Sequence, residues 1–289
     1  MKSRLPFAVA LVVFGPALLG AQAPNLQPAH VLPGTPLVGP AAGMQRMAAL
    51  ARGTDSTLLV FEDDRAGDGD IYGVRLDALG APLDVLPFAI THAPGNQSAP
   101  KVCWSGQDWL VVYSSQVDPG SGYFAYEVAV QRVSPQGLVL DPAPIGLTVD
   151  DTGGGFAVAS DGQGWAVLTT GYSGGNSALV ARRIGADGTV VDPAGVVVDP
   201  GAFSIFFGLT AAFVQGRYVF GWTDGGTRVR RFDTALQALD PAPVLLSSEN
   251  AALVSSGTQL LLAYTRQTPL FTSEVVARRF DANLVALEA

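Results

Sequence analysis

Residues 179–191 read LVARRIGADGTVV and run on into Asp192-Pro193-Ala194. An apolar stretch ending in arginine, an Ala-Asp-Gly turn and a second apolar stretch are what two antiparallel strands joined by a tight hairpin require. The pattern returns around Arg75, Arg132, Arg231 and Arg279. Nine residues after each of the five arginines stands an acid: Asp84, Asp141, Asp192, Asp240 and Glu288. Successive arginines lie 57, 51, 48 and 48 residues apart. The chain is therefore a fivefold repeat.

Each copy reads as four short strands. In the third they cover residues 156–160, 165–169, 178–184 and 189–198, separated by Asp161-Gly162-Gln163-Gly164, a Gly-rich loop and Ala186-Asp187-Gly188. First strands end at Gly53, Gly106, Gly162, Gly216 and Gly257. Second strands are LLVF (58–61), WLVVY (109–113), WAVLT (165–169), YVFGW (218–222) and LLLAY (260–264). They are apolar at consecutive positions, so both faces of each sheet must be covered. A period near 50 with four strands per unit is the signature of a β-propeller. The fold expected is all-β, a propeller of five four-stranded antiparallel blades.

A propeller ring must also close. The segment Gln27-Pro28-Ala29-His30-Val31-Leu32 precedes the first complete copy and matches the fourth-strand openings Asp141-Pro142-Ala143-Pro144-Ile145, Asp192-Pro193-Ala194-Gly195-Val196 and Asp240-Pro241-Ala242-Pro243-Val244. The fifth copy stops at Glu288-Ala289, where its own fourth strand would begin. The N-terminal segment is expected to pair with the last blade and close the ring, removing exposed strand edges.

Composition agrees with many short elements. The 34 Gly and 20 Pro are spread along the chain as turn residues, and a hydrophobic share of 48% against 15% charged allows a large core. The start carries Lys2 and Arg4, an apolar run over residues 5–19 and Ala21-Gln22-Ala23, the layout of a secretory signal peptide over residues 1–23. Cleavage after Ala21 is the other option. Residues 24–289 would then form a single propeller domain, secreted, periplasmic or at the cell surface. The apolar run is short for a bilayer and holds Pro6, Gly15 and Pro16, so no membrane span is expected in the mature chain. Net charge is −8, and −10 without Lys2 and Arg4, which argues against nucleic acid as a partner.

The single Cys103 cannot form an internal disulfide. Counting back three residues from each first-strand glycine aligns it with Leu50, Ala159, Phe213 and Val254, an apolar slot, so it reads as a buried structural cysteine.

Few residues suggest chemistry. The repeated arginine shares its strand face with apolar residues such as Val130 and Val128 or Ala181 and Leu179, and is expected at a blade-to-blade contact, bonding carbonyls or a nearby acid. The loop Glu62-Asp63-Asp64-Arg65-Ala66-Gly67-Asp68-Gly69-Asp70 could offer Asp64, Asp68 and Asp70 to Ca²⁺, although its spacing is not that of an EF-hand and no other copy repeats it; a solvated hairpin is the plainer reading. His30 and His92 are the only histidines, too few for a histidine metal site or a Ser-His-Asp arrangement. Glycoside hydrolysis needs two carboxylates, and the predicted first strands carry none. Aromatic residues on loops, namely Tyr123, Phe124 and Tyr126 in the second copy and Tyr172 in the third, are the candidates for ligand contact. Phe203, Phe206 and Phe207 are further loop aromatics before the fourth copy.

The stretch LLVFEDDRAGDGDIYGVRLDALG (58–80) resembles the repeats of exported bacterial β-propellers, which pair an apolar strand with D-x-R-x-G and D-I-Y elements, and more loosely the WD40-like repeats of the TolB type. The third-strand arginine departs from the TolB pattern. The resemblance implies a propeller and an extracytoplasmic home, and carries over no catalytic residue. The reading reached from sequence is an exported propeller acting as a binding or scaffolding module for a carbohydrate or protein ligand, through loops at one end of the ring. The alternatives are a glycoside hydrolase on the same fold and a structural envelope protein without a small ligand.

Overall fold

A computed structural model describes residues 44–117, 125–147, 155–173, 176–201, 208–267 and 272–288. It is all-β, and its strands form five antiparallel sheets arranged as a five-bladed propeller. The first blade comprises β1 (Gln45–Arg52), β2 (Thr57–Asp63), β3 (Asp70–Leu76) and β4 (Phe88–Ala89). The second has β5 (Gln97–Trp104), β6 (Trp109–Val117), β7 (Ala125–Val133) and β8 (Ile145–Gly146). The third has β9 (Phe156–Ser160), β10 (Gly164–Ser173), β11 (Asn176–Gly185) and β12 (Val196–Asp199). The fourth has β13 (Thr210–Val214), β14 (Arg217–Thr223), β15 (Thr227–Phe232) and β16 (Val244–Ser247). The fifth has β17 (Ala251–Ser255), β18 (Leu260–Gln267) and β19 (Ser273–Phe280). Each blade pairs in chain order, and among the described residues the fifth has three strands. The proposed closing segment 27–32 and the leader 1–23 lie outside the described residues.

The core is divided among the seams between blades. Strand side chains alternate between the two faces of a sheet, so the second strands of the three middle blades each serve two seams. Trp109, Val111 and Tyr113 of β6 pack with Leu58 and Val60 of β2, while Leu110 and Val112 pack with Trp165 and Val167 of β10. Ala166 and Leu168 turn the other way to meet Tyr218, Phe220 and Trp222 of β14, and Val219 joins Leu260 and Leu262 of β18. In β6, β10 and β14 this is the double-sided burial that the apolar runs predicted; in β2 and β18 the opposite face carries the half-buried Leu59 and Leu261.

The fourth strands are shorter than the sequence suggested. In the third blade the predicted strand over residues 189–198 is reduced to an isolated bridge, Ile184 to Val190, and then β12. The intervening Asp192-Pro193 explains the break. Proline offers no N–H to a ladder, and the Asp192 carboxylate takes the Arg183 amide at 3.2 Å in place of a strand carbonyl. The same single bridge recurs in all five blades.

Cross-strand pairing also corrects the alignment of Cys103. It stands opposite Leu110, and its counterparts are Ala51, Ala159, Ala212 and Val254, so in the first and fourth copies the true equivalents are Ala51 and Ala212, not Leu50 and Phe213. The turn accounts for the slip: Gly53 opens a turn closed by its own N–H to the Ser56 carbonyl, whereas Gln215-Gly216 is a two-residue turn with φ of 45° and 78°.

Candidate functional site

The repeated arginine is a clasp between blades. Arg132 takes Asp141 Oδ1 with Nε and Nη2 at 3.0 and 2.6 Å, while its backbone N–H donates to Asp141 Oδ2 at 2.6 Å. Its remaining Nη1 reaches the Ala186 carbonyl of the next blade. Arg75 repeats this with Asp84 and the Pro135 carbonyl, Arg183 with Asp192 and Thr234, and Arg231 with Asp240 and Ala282. The planar guanidinium fork fits this three-way task. Asp192 is held below the usual carboxylate range by its hydrogen bonds from Arg183. These arginines are structural, as their apolar surroundings suggested.

The end of the ring made by the second-to-third hairpins and the blade connections is where loop chemistry gathers. In the first blade, Arg46 on β1 bonds Glu62 through Nε at 2.6 Å. Arg65 pairs with the fully buried Asp63 and lies over the Tyr72 ring, its Cζ 4.6 Å from the centroid. Tyr72 in turn meets His92 edge-on at 5.8 Å, and His92 Nδ1 stands 3.1 Å from Asp70 Oδ2. The connection into the second blade is tied to this hairpin: Gly69 N–H donates to Asn96 Oδ1 at 2.9 Å and Gln97 N–H to the Gly69 carbonyl at 2.6 Å. Burial raises the Asp70 carboxyl, against the pull of His92, and burial likewise raises Glu127 on β7.

Of the three acids suggested for Ca²⁺, Asp64 and Asp70 have partners within the protein. Asp70 faces His92, and Asp64 accepts the Met44 N–H and the Gly67 N–H reaches the Asp64 carbonyl. Among the described residues no three acids, histidines or cysteines come together as a metal ligand set. Of the aromatic candidates, Tyr123 and Phe124 lie outside the described residues, as do Phe203, Phe206 and Phe207. Tyr126 is half-buried on β7 opposite Gln116, and Tyr172 takes a strand position opposite Ser177. Sequence reasoning missed the Arg65, Tyr72, His92 stack. Its signal was present in the D-I-Y element and in the only histidine of the repeats, but nothing in the linear order links residues 65 and 92.

The five first strands carry three cations, Arg46, Arg52 and Lys101, and no acid. Lys101 has Ala49, Ala157, Thr210 and Ala252 as its counterparts and approaches the Phe156 ring at 5.8 Å. At the third and fourth blades a cavity of about 140 Å³ lies between Trp165, Arg183, Tyr218 and Thr234, below the roughly 300 Å³ at which small-molecule sites begin.

No family model matches the chain, and no curated protein matches it. Among solved structures, it is similar to a GH43_1 enzyme from Xanthomonas citri complexed with xylose, at 13% identity and a TM-score of 0.48, covering 86% of this chain and 92% of that one. An exo-1,5-alpha-L-arabinanase from a bovine ruminal metagenomic library matches at 10% identity and a TM-score of 0.46, covering 86% and 99%. A puromycin-hydrolyzing peptidase from Mycobacterium tuberculosis matches at 15% identity and a TM-score of 0.49, covering 86% of this chain and 37% of that one. At these identities the likeness is one of strand arrangement, and the chemistry has to be argued from this chain's own residues.

Proposed function

We propose that the protein is an exported propeller that binds a carbohydrate or protein ligand on the end of the ring carrying the second-to-third hairpins. The supporting observation is the stack at the first blade. Its carboxylates Glu62, Asp63 and Asp70 are engaged by Arg46, Arg65 and His92 respectively, while the Arg46 and His92 side chains stay 46% and 59% exposed and His92 meets the Tyr72 ring edge-on. Hydrogen-bond donors held in place next to an aromatic edge suit hydroxyl-rich or peptide ligands. Titration calorimetry with a panel of oligosaccharides that includes xylotriose tests this. Binding should be saturable and weakened at least tenfold by His92→Ala or Tyr126→Ala; unchanged affinity in both variants would sink the reading.

A second reading is glycoside hydrolysis, for which a carboxyl kept protonated by burial is the acid required. Raised Asp70 and Glu127 favour it. Release of reducing sugar from the same panel, abolished by Asp70→Asn or Glu127→Gln, would support an enzyme over a binding module.

A further inference from the structure

Neighbouring blades meet through β1 and β5, β5 and β9, β9 and β13, and β13 and β17, so the first strands form the inner wall of the ring. The chain as a whole is acidic, with a net charge of −8, yet these strands hold cations and no Asp or Glu. Lys101 stands opposite Val112, partway along the β5–β6 ladder and away from the hairpin turn, and it is exposed. A residue exposed in the middle of an innermost strand faces the axial space. At its level the other blades present Ala49, Ala157, Thr210 and Ala252, all small, and the Thr210 hydroxyl is occupied by the Leu253 carbonyl at 3.1 Å. Among the described residues the Lys101 ammonium lies 5.8 Å from the Phe156 ring centroid and bonds no acid and no carbonyl. A cation without an internal counter-ion leaves its field to act on whatever enters.

The backbone around this position is special in the first two blades. β1 loses register between Arg46 and Ala49, and β5 between Ser98 and Lys101, whereas β9, β13 and β17 pair without a break. At equivalent places in the two bulges Met47 and Ala99 both take a φ of 55°. Non-glycine residues seldom adopt that left-handed conformation, and a bulge bends its strand and re-aims the neighbouring side chains. Lys101 closes the second bulge. Arg46 opens the first, at the loop end of β1, where it holds Glu62 and stays 46% exposed. Two cations therefore stand on adjacent inner strands, Arg46 at the mouth of the axis and Lys101 deeper. We infer that the axial space beside Lys101 receives the carboxylate of an acidic sugar chain, a polyuronate, whose next residue lies toward Arg46 and the first-blade stack. This rests on the carbohydrate reading proposed above and adds the charge of the ligand to it. The ammonium supplies up to three donors to a carboxylate, and the exposed Arg46 and His92 side chains serve the hydroxyls that an acidic peptide lacks.

Calorimetry on the full chain with trigalacturonate and its neutral counterpart galactotriose tests the inference. Trigalacturonate should bind about tenfold tighter, an advantage that should shrink as salt is raised from about 0.05 to 0.5 M. Lys101→Met should abolish the advantage and leave galactotriose binding as it was, while Lys101→Arg should keep most of it. Arg52→Met removes an exposed cation at the opposite end of β1, opposite Thr57, and should change neither affinity. Equal affinity for the two trimers, no binding of trigalacturonate, or the same loss in Arg52→Met as in Lys101→Met would overturn the inference, while the carbohydrate reading stands or falls on the neutral panel. Binding of hexaglutamate through Lys101 in place of trigalacturonate would give the axis to an acidic protein segment and overturn the sugar assignment. Should Lys101→Met fold poorly, the salt series on the unaltered protein decides: an advantage that persists undiminished at high salt is not electrostatic and would overturn it.

Discussion

Arg132 and Asp141, nine residues apart, hold each other through a backbone amide and two guanidinium nitrogens, and the spare guanidinium nitrogen of Arg132 reaches the Ala186 carbonyl in the next blade. One side chain thereby ties the turn of its own blade and the seam beyond it.

Removing Asp141 should therefore be expensive. Asp141→Ala leaves a largely buried guanidinium without its acid, and breaking such a pair costs about 3 kcal/mol. Glu288→Ala touches an exposed pair and should leave the urea midpoint unchanged. Equilibrium unfolding of the two variants checks the contrast. Equal effects would contradict the exposures described for the two clasps.

Two tryptophans of similar burial should respond differently to loss of the indole N–H. Trp165 Nε1 donates to the Cys103 carbonyl at 3.0 Å, whereas the fully buried Trp222 Nε1 has no partner among the described residues. Both changes to phenylalanine remove the same volume. Trp165→Phe should cost about 1 kcal/mol more than Trp222→Phe, because only it breaks a hydrogen bond. Denaturant titration reads the difference directly.

Acid should weaken the clasps. Hydrogen bonds from Arg183 depress Asp192; at Asp240 burial pushes upward but is outweighed by the bonds from Arg231. An acid depressed in the folded state stabilises it fully above its unfolded pKa, about 3.9, and that stability is lost as pH falls through the lower folded value. Raised Asp70 has the opposite sign, disfavouring the fold at neutral pH and relieved on protonation. Melting temperature should fall as pH drops below about 4, and less steeply in Asp192→Asn.

Cys103, half-buried rather than fully buried but packed against the core between the second and third blades, should react slowly in the folded protein. Burial pushes its thiol up to about 12, and thiol reagents attack the thiolate. A maleimide at pH 8 should label the native chain far more slowly than the same chain in denaturant. Equal rates would mean that the slot between the second and third blades is open.

The architecture was legible in the linear order because arginine, turn and acid recur at fixed offsets and because runs such as WLVVY are apolar at every position. What escaped was set by turns and by distance in space. Asp192-Pro193 cuts the predicted fourth strand since proline cannot join a ladder, and a turn of different length makes Ala51, not Leu50, the first-blade equivalent of Cys103. The stack of Arg65, Tyr72 and His92 needs a fold before its members can meet.

The alternation of β6, with Trp109, Val111 and Tyr113 turned to one neighbour and Leu110 and Val112 to the other, makes it a party wall, as are β10 and β14. Damage to it is shared by two households at once, so an interior sheet cannot loosen by itself. Melting should instead creep inward from the fifth sheet, where Val275 of β19 is exposed, and a protease would find its first purchase there.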